Sequence, residues 1–300
     1  MKKVLFASTA LVLTAGVASA EITLSGSANM GIKSNALSWN LSTGVYGTSG
    51  ETTVHNEIDI DVKGSGETDS GLTFGASVDL DTDSNNSANS TNAVKDPEVF
   101  IAYNGLKLTV GDVGEAQAVG GIADVGYDGI GIDDLVDDIV DTFGSDDVRV
   151  DYAFGDFAVA VSADSDTTNG EGGFAVGFTG SVDAFTFALG YSDRETGGTG
   201  FNEGTVTVGY SAGAIGLKAT YSDLSVDGGT GINGFGVEAS YTTGDVTLTA
   251  IYAENDADFS GFGVGFAYDL GGATLAGGVG QFDDNIDTET VADLGISFKF

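Results

Sequence analysis

The chain ends with the stretch ADLGISFKF, residues 292–300, and this stretch decides the fold. Alternate residues from Ala292 to Phe300 are apolar and share one face of a strand, while the other face carries Asp, Gly, Ser and Lys. Chain termini usually fray in polar residues, so a strand that ends on a bare aromatic indicates that something covers it. The rest of the chain must therefore supply a partner strand and apolar surroundings.

The other end of the chain has the pattern of an export signal. Met1 is followed by two lysines, an apolar stretch runs from Val4 to Val17, and Ala18-Ser19-Ala20 forms a small-x-small cleavage site. The apolar stretch is too short to span a membrane comfortably. We expect residues 1–20 to be a signal peptide and residues 21–300 to form one domain. A strand of the mature fold is the less favoured interpretation of the leader.

The composition excludes several classes of protein. Removing Lys2 and Lys3 with the leader leaves 8 basic residues against 45 acidic ones, a formal charge of −37. A nucleic-acid partner needs a basic footprint and is excluded. The sequence has 0 Cys, so an exported chain must be stable without disulfides. A single Pro and 48 Gly favour a structure with few unpaired backbone N–H groups and many turns or close approaches.

Alternating segments recur along the whole mature chain. A membrane accepts closed β-barrels, whose strands need only about 10 alternating residues. Sixteen such segments can be read between Glu21 and the terminus. The face assignment of the fourth, Val99–Tyr103, is ambiguous because Phe100 falls on its polar side. Seven short turn sequences alternate with eight longer acidic segments, which is typical of an up-and-down sheet.

A sheet of sixteen strands must close or leave two long edges, and closure at this number encloses a water-filled lumen. We therefore predict an all-β fold, a 16-stranded antiparallel transmembrane β-barrel with a lipid-facing apolar face about 25 Å tall. A soluble periplasmic β-sandwich is the alternative, disfavoured because a second buried face is lacking. Tyrosines at the ends of the apolar rows fit an aromatic girdle: Tyr191, Tyr210, Tyr221, Tyr241, Tyr252 and Tyr268.

Four segments resemble one family of channel proteins. They are VADLGISFKF (291–300), ETDSGLTFGAS (67–77), LTVGDVGEA (108–116) and DVGYDGIGIDD (124–134). Together they are similar to the trimeric general-diffusion porins of Gram-negative outer membranes, alphaproteobacterial branch. The resemblance implies a homotrimer whose last strand pairs with the first and whose terminal aromatic is read by the assembly machinery. Phe300 would then meet the strand that starts at Glu21 and face lipid.

The resemblance also implies that a long third loop folds into the lumen as a constriction. Here that loop is residues 111–147, the longest stretch without a strand pattern. Helical spacing predicts a short amphipathic helix that packs on the wall through Ile132, Leu135, Val136, Ile139, Val140 and Phe143. Its acidic side would face water: Asp133, Asp134, Asp137, Asp138 and Asp141. The alternative is a solvated surface loop that leaves the pore unobstructed.

Charged residues indicate the field inside the predicted lumen. Six cations fall on lumen-facing positions, namely Lys33, Lys63, Lys107, Arg149, Lys218 and Lys299, while Lys95 and Arg194 are expected in loops. Facing an acidic loop, they would create a transverse field that orients dipolar solutes. The simpler interpretation is that charges cannot face lipid. Some relatives carry clustered arginines on the second strand, where this chain has His55, Glu57, Asp59 and Asp61, which favours weak cation selectivity.

Other motifs carry less weight. DLDTDSNNS (79–87) starts like a calcium loop but lacks the central Gly and the closing Glu of an EF-hand. We retain the hypothesis that acid-rich loops bind Ca²⁺, with Asp133, Asp134, Asp137 and Asp138 as candidate ligands. GFGVGF (261–266) lacks the βαβ context of a dinucleotide loop. The sole imidazole, His55, has no catalytic context, so an enzyme is not expected.

These observations predict a passive diffusion channel for small hydrophilic solutes and ions, set in outer-membrane lipid and lipopolysaccharide, with no cofactor beyond structural Ca²⁺. The main alternative is a non-channel barrel, an adhesin or structural anchor with a plugged lumen. A substrate-specific channel is an alternative closer to the predicted function, but the sequence shows no long row of aromatic residues that could bind sugars. The predicted pore-lining residues are Glu57, Asp59, Asp61, Arg149 and Lys218 on the wall and Glu115, Asp124, Asp128, Asp133 and Asp134 in the constriction.

Overall fold

The computed structural model describes residues 21–35, 37–40, 45–48, 50–83, 94–140, 145–165 and 172–300. The predicted signal peptide, residues 1–20, lies outside this part of the chain, as do Asp141 and Phe143 of the predicted helix. One short helix, α1 (Asp134–Asp137), continues into a 3₁₀ turn, Asp138–Val140. Among the described residues, no helix is long and apolar enough to cross a membrane.

Strands make up most of the described chain. In chain order they are β1 (Glu21–Ser34), β2 (Leu37–Asn40), β3 (Val45–Thr48), β4 (Thr52–Glu67), β5 (Thr73–Asp83), β6 (Val94–Tyr103), β7 (Leu106–Gly114), β8 (Ser145–Phe154), β9 (Phe157–Asp164), β10 (Gly172–Val182), β11 (Phe185–Thr196), β12 (Thr199–Ala212), β13 (Ile215–Val226), β14 (Ile232–Thr243), β15 (Val246–Asn255), β16 (Ser260–Asp269), β17 (Ala273–Asp283) and β18 (Thr288–Lys299).

Sixteen of these strands, β1 and β4–β18, form one closed antiparallel barrel, whereas β2 and β3 form a separate hairpin. The predicted fold class and the number of barrel strands are confirmed. Strand β1 closes the barrel because Ala28 lies opposite Phe298 of β18 on one side and opposite Ile58 of β4 on the other. The last residue completes this seam, since Phe300 and Gly26 exchange two backbone hydrogen bonds of 2.9 Å. The terminal strand is therefore covered by the first one.

The outer face of the barrel is apolar. Large side chains alternate outward along the strands and remain exposed, for example Leu24 at 70% and Val54 at 75%. Such a continuous apolar surface is stable against lipid rather than water. The tyrosines predicted to form a girdle lie on this face in two rows, Tyr210, Tyr241 and Tyr268 near the short turns and Tyr191, Tyr221 and Tyr252 toward the opposite rim.

The ambiguous strand β6 is resolved by a β-bulge. The register between β5 and β6 shifts between Ser77 and Asp79, and Asp96 adopts a positive φ of 48°. One extra residue reverses the alternation of the strand. Val99 consequently faces outward, while the neighbouring Phe100 is buried on the lumen side.

The two rims of the barrel differ in their connections. The rim that holds both chain ends has tight turns such as Asn104–Gly105, whose φ angles of 49° and 82° suit a two-residue hairpin. On the opposite rim, strands β11 and β12 are joined by only Gly197 and Gly198, with φ angles of 60° and 82°. The prediction of a long acidic segment here is wrong, because the hairpin continues as strand through polar residues and two glycines allow an immediate reversal.

Candidate functional site inside the barrel

The predicted third loop, residues 111–147, is partly strand, because β7 continues to Gly114 and β8 begins at Ser145. We use "third loop" below for residues 115–140. It runs along side chains that point away from the apolar outer face. Its Gly121 N–H donates to Thr207 Oγ1 of β12 at 2.9 Å, and its Ala123 N–H donates to Glu238 Oε2 of β14 at 2.9 Å. The third loop is therefore hydrogen-bonded to the inner wall.

Inward-facing glycines make room for the third loop. A Cβ atom on Gly177 of β10 would lie 1.9 Å from the Ala116 carbonyl oxygen, and one on Gly190 of β11 would lie 2.1 Å from that of Gln117. The same close approach, with loop atoms within 3.1 Å of a built Cβ, recurs at Gly234, Gly236, Gly261, Gly263, Gly265, Gly278 and Gly280. Part of the high glycine content thus lets a loop approach the strands closely.

The main apolar core of the described protein lies between the third loop and this wall. Buried loop residues pack against β15–β18: Ile122, Val125, Ile130, Ile132, Leu135 and Val136 meet Ile251, Ala253, Phe259, Phe282 and Val291. Side chains predicted for the apolar side of the helix, Ile132, Leu135, Val136, Ile139 and Val140, are indeed buried. The helix itself is shorter than its apolar periodicity, because the chain tightens into a 3₁₀ turn after Asp137.

The acidic side of this helix does not face water uniformly. Asp134, Asp137 and Asp138 are half-buried, whereas Asp133 is only 7% exposed. The expectation that Asp133 faces water is wrong, because its side chain is buried and interacts with that of Asp124. Asp124 itself is exposed.

The middle of the third loop is fixed to β18. Asp293 Oδ2 accepts the backbone N–H groups of Tyr127 and Asp128 at 2.9 and 3.0 Å, and its Oδ1 accepts that of Gly278 at 2.8 Å. Asp128 in turn binds Lys33 Nζ at 2.8 Å through its carboxylate. These contacts hold Tyr127 and Asp128 across the seam between β18 and β1.

His55 of β4 also belongs to this contact. Its Nδ1 lies 3.1 Å from Asp128 Oδ2, and its side chain is buried. The imidazole therefore supports the middle of the third loop through Asp128.

One buried guanidinium joins the beginning of the third loop to β8, the strand that follows the loop. Arg194 of β11 is 5% exposed, and its Nη2 lies 2.5 Å from Glu115 Oε1 at the beginning of the loop. The same guanidinium donates to both carboxylate oxygens of Asp146 in β8, at 2.8 and 3.0 Å. The prediction that Arg194 lies in a loop is wrong, because β11 extends through it. Glu115, predicted to line the pore, is 1% exposed and instead belongs to this ion-pair cluster.

The wall that the third loop leaves uncovered is acidic. Lumen-facing residues of β1 and β4–β8 enclose a cavity of about 770 Å³. Its lining includes one ammonium group, Lys63, and five carboxylates: Asp61, Asp79, Asp96, Glu98 and Asp112. On β4, Glu57 accepts a hydrogen bond from Asn29, Asp59 one from Ser27 and Asp61 one from Ser25, at 2.9, 2.9 and 3.3 Å.

Several wall cations are neutralised by local partners. Arg149 Nε donates to Asp151 at 3.0 Å, and its Nη1 donates to the Gly114 carbonyl at 2.8 Å. Lys218 Nζ lies 3.1 Å from Glu238. The expected transverse field between a basic wall and an acidic loop is therefore weakened at these positions, because the cations lie next to carboxylates of the wall itself.

Two further cations lie near the inward-facing ring of Phe100. The ammonium groups of Lys63 and Lys107 lie 5.2 and 5.1 Å from the centroid of Phe100. Lys95, expected in a loop, lies in β6 opposite Asp79. This expectation was wrong because the bulged strand begins earlier than its apolar pattern.

Burial raises the pKa values of carboxyl groups in the third loop. It raises the pKa of Asp133 to about 9, with the neighbouring Asp124 adding to the shift, and the pKa of Glu115 to about 7 despite the adjacent Arg194. For the half-buried Asp134 and Asp137, burial raises the pKa to about 8 and about 7. The pKa values of these four carboxyls therefore lie between about 7 and about 9, well above the usual value for a carboxyl group.

No group of three or more His, Cys, Asp or Glu side chains is placed to hold a metal ion within the residues that the structure describes. Asp133, Asp134, Asp137 and Asp138 follow one another along a single helical turn, and Asp133 is turned inward. Calcium binding at these residues stays a prediction.

Arg194 and Asp146 are the site residues that sequence reasoning missed. They are 48 residues apart, and each lies in a stretch without an apolar pattern. A detectable signal was the polar alternation of YSDRE (191–195), in which Ser192 and Arg194 share the face opposite Tyr191.

Comparisons with known proteins agree with this architecture. A family model described as Gram-negative porin matches residues 7–288. The porin of Rhodobacter capsulatus is 28% identical over 321 residues, which cover 93% of this chain and 100% of that protein. A triple mutant of the Rhodopseudomonas blastica porin has a TM-score of 0.74 at 21% identity, covering 93% of this chain and 100% of that one. Another mutant of the same porin gives a TM-score of 0.75 at 22% identity with the same coverage.

Proposed function

Since the chain belongs to the Gram-negative porin family, we propose that its third loop narrows the channel and that the opposite wall makes the channel weakly cation-selective. The chain is an outer-membrane diffusion channel, a multi-pass β-barrel of sixteen strands. The observation that carries the proposal is the path of the third loop, which is hydrogen-bonded to β12, β14 and β18 and lies away from the acidic cavity lined by β1 and β4–β8.

The proposed lining has two sides. The wall contributes Glu57, Asp59 and Asp61, with Arg149 and Lys218 as locally paired cations, and the loop contributes Asp124, Asp128 and Asp134. Glu115 and Asp133 are buried and act on the shape of the loop rather than on solutes. With five carboxylates and one ammonium group along one cavity, the local potential is negative and concentrates cations.

Shortening the third loop tests the constriction. We would replace residues 118–139 with a short Gly-Ser linker, which keeps the strands and the Arg194 cluster. If the loop narrows the pore, the shortened variant conducts more current and admits larger uncharged sugars into liposomes than the full chain. Equal conductance and an equal size limit would contradict the constriction. Folded full-length protein that conducts no current would favour the plugged anchor instead.

We also propose a homotrimer. Strands β1, β4, β5, β17 and β18 carry no Tyr or Trp, so the two rows of tyrosines are interrupted on this side of the barrel. The same side places a polar residue, Asn56, on the outer face between Val54 and Ile58. A surface that is apolar but lacks interfacial anchors suits contact with another protein copy better than contact with lipid headgroups. Mass measurement of the purified protein in detergent tests this proposal.

The remaining partners follow from the channel role. Small hydrophilic solutes and ions would cross the lumen, outer-membrane lipid would cover the apolar face, and lipopolysaccharide would border the acidic rim. A catalytic activity is not proposed. Structural calcium is retained as a proposal for Asp133, Asp134, Asp137 and Asp138, to be tested by calcium titration calorimetry with a D134N/D138N control.

A further inference from the structure

We propose that Arg194 is the positioning residue that sets the width of the channel, because it joins Glu115, where the third loop begins, to Asp146 of β8, the strand that follows the loop. The proposal rests on the constriction proposed above and names the residue that maintains it. Glu115 is the first residue after β7, and Asp146 is the second residue of β8. One guanidinium therefore closes the base of a connection of about thirty residues.

The geometry of this contact is that of a buried, oriented ion pair. Arg194 binds Asp146 through two parallel hydrogen bonds of 2.8 and 3.0 Å and approaches Glu115 to 2.5 Å. All three side chains are at most 5% exposed. A planar guanidinium can bind one carboxylate with two donors and a second carboxylate at its edge, which an ammonium group cannot do with fixed geometry.

Neighbouring hydrogen bonds make the cluster a structural unit. Gln117 Nε2 donates to Glu203 Oε2 of β12 at 3.0 Å and to the Val140 carbonyl at 3.3 Å, so it also joins the beginning and the end of the loop. Ser192 Oγ donates to the same Glu203 oxygen at 3.0 Å. The Ala116 N–H donates to Ser162 Oγ of β9 at 2.8 Å. The base of the loop is thus bound to β9, β11 and β12.

The charge balance of this cluster predicts the effect of removing Arg194. Arg194 is the cation facing three buried carboxylates, those of Glu115, Asp146 and Glu203. Removing the guanidinium leaves these anions close together and away from bulk water, which is costly unless they bind protons or separate. Separation requires the base of the loop to leave the wall. Protonation of Glu115 at low pH would allow the base to stay in place, so the effect of losing Arg194 on conductance should be larger at high pH.

The experiment compares single-channel conductance of wild type, R194M, R194K and K107M at about pH 8 and about pH 5. Lys107 is the matched control, because it is a lumen cation of β7 near Phe100 and takes no part in the Arg194 cluster. We expect R194M at pH 8 to conduct on the order of twofold more than wild type, with large current fluctuations, and to approach wild type at pH 5. R194K should lie between the two, because it keeps the charge but loses the paired donors.

The outcomes separate a positioning role from a simple charge effect. A conductance of R194M equal to wild type at both pH values overturns the proposal, as does a change equal to that of K107M. If R194M does not fold, E115Q and D146N provide the same test, since each weakens one ion pair of the cluster while Arg194 remains. Wild-type conductance in both variants overturns the proposal. If the variant with the shortened loop also conducts like wild type, the proposed constriction is contradicted. If the shortened loop changes conductance but R194M does not, only the role proposed for Arg194 is contradicted.

Discussion

Asp293 of β18 accepts the backbone N–H of Tyr127 at 2.9 Å, and this contact ties the middle of the third loop to a residue 166 positions away in sequence. The same carboxylate binds the N–H groups of Asp128 and Gly278. The third loop is therefore attached at two distant places, at Asp293 by backbone donors and at Arg194 by an ion pair. Between them it is held mainly by apolar contacts and by glycines in the wall.

The first prediction concerns the attachment at Asp293. In D293A three backbone N–H groups lose their acceptor, and each lost bond to a charged group costs about 1.5–3 kcal/mol before water replaces it. We expect the middle of the loop to detach intermittently, which gives current fluctuations in planar bilayers while the barrel stays folded. In the matched control D284N the changed carboxylate lies in the connection between β17 and β18 at the rim. Steady wild-type currents from D293A would contradict this attachment.

The second prediction concerns the glycine wall. In G177A the new methyl group would lie 1.9 Å from the Ala116 carbonyl oxygen, so the loop backbone must shift. We expect a changed conductance. We also expect overpacking to lower the free energy of unfolding by about 1–3 kcal/mol, measured by the loss of the β-sheet circular dichroism signal. The control is G114A, where a Cβ meets nothing within 4 Å. Equal behaviour of the two variants would show that the loop does not press on β10.

The third prediction is a pH dependence. Burial raises the pKa of Asp134 to about 8 and of Asp137 to about 7, so these groups gain negative charge as pH rises through this range. Cation selectivity should therefore increase between about pH 6 and about pH 9.5. Because the pKa values are raised in the folded protein, the protonated forms favour the docked loop, and this stabilisation is lost as pH rises.

The control for this pH dependence is the variant D134N/D137N. It should have a flatter selectivity profile over the same range, because the titrating groups are removed. A wild-type selectivity that is constant from about pH 6 to about pH 9.5 would contradict the assigned titration.

The barrel was predictable because each strand carries its own signal. Lipid on one side and water on the other favour an alternation of apolar and polar residues in the membrane-spanning part of the strands, and the apolar end at Phe300 pairs with Gly26. The turn Asn104–Gly105 was also readable, since its residues accept positive φ angles. Local rules therefore specify the barrel strand by strand.

The interior was less predictable because it depends on distant contacts. Nothing near Arg194 in sequence reveals Asp146, and the polar end of β11 lacks the apolar alternation that marks a strand. Phe100 was ambiguous because an apolar ring on the lumen side interrupts the alternation of β6; in the fold it lies near the ammonium groups of Lys63 and Lys107. The apolar spacing from Ile132 to Val140 correctly predicted a buried side, but it could not show that Asp133 is buried as well.

The fourth prediction concerns the acidic wall. The triple variant E57Q/D59N/D61N keeps the size of the side chains and their capacity to accept hydrogen bonds from β1, but it removes three negative charges from the lumen. We expect its cation selectivity to fall while its conductance in concentrated salt stays close to wild type, because salt screens the wall. A control with the same number of neutralised acids at the rim, D283N/D284N/D287N, should change selectivity less. Equal effects of both triple variants would place the selective charges outside the lumen.

The central claim is that an acidic wall opposite a docked loop makes a narrow, weakly cation-selective channel. The most direct test is the reversal potential of the purified full-length protein in a planar bilayer under a KCl gradient at neutral pH. The structure predicts stable conductance steps and a potential of the sign that K⁺ selectivity produces. A potential of the opposite sign, which means preference for Cl⁻, would contradict the claim that the carboxylates around Asp61 and Glu98 control the channel.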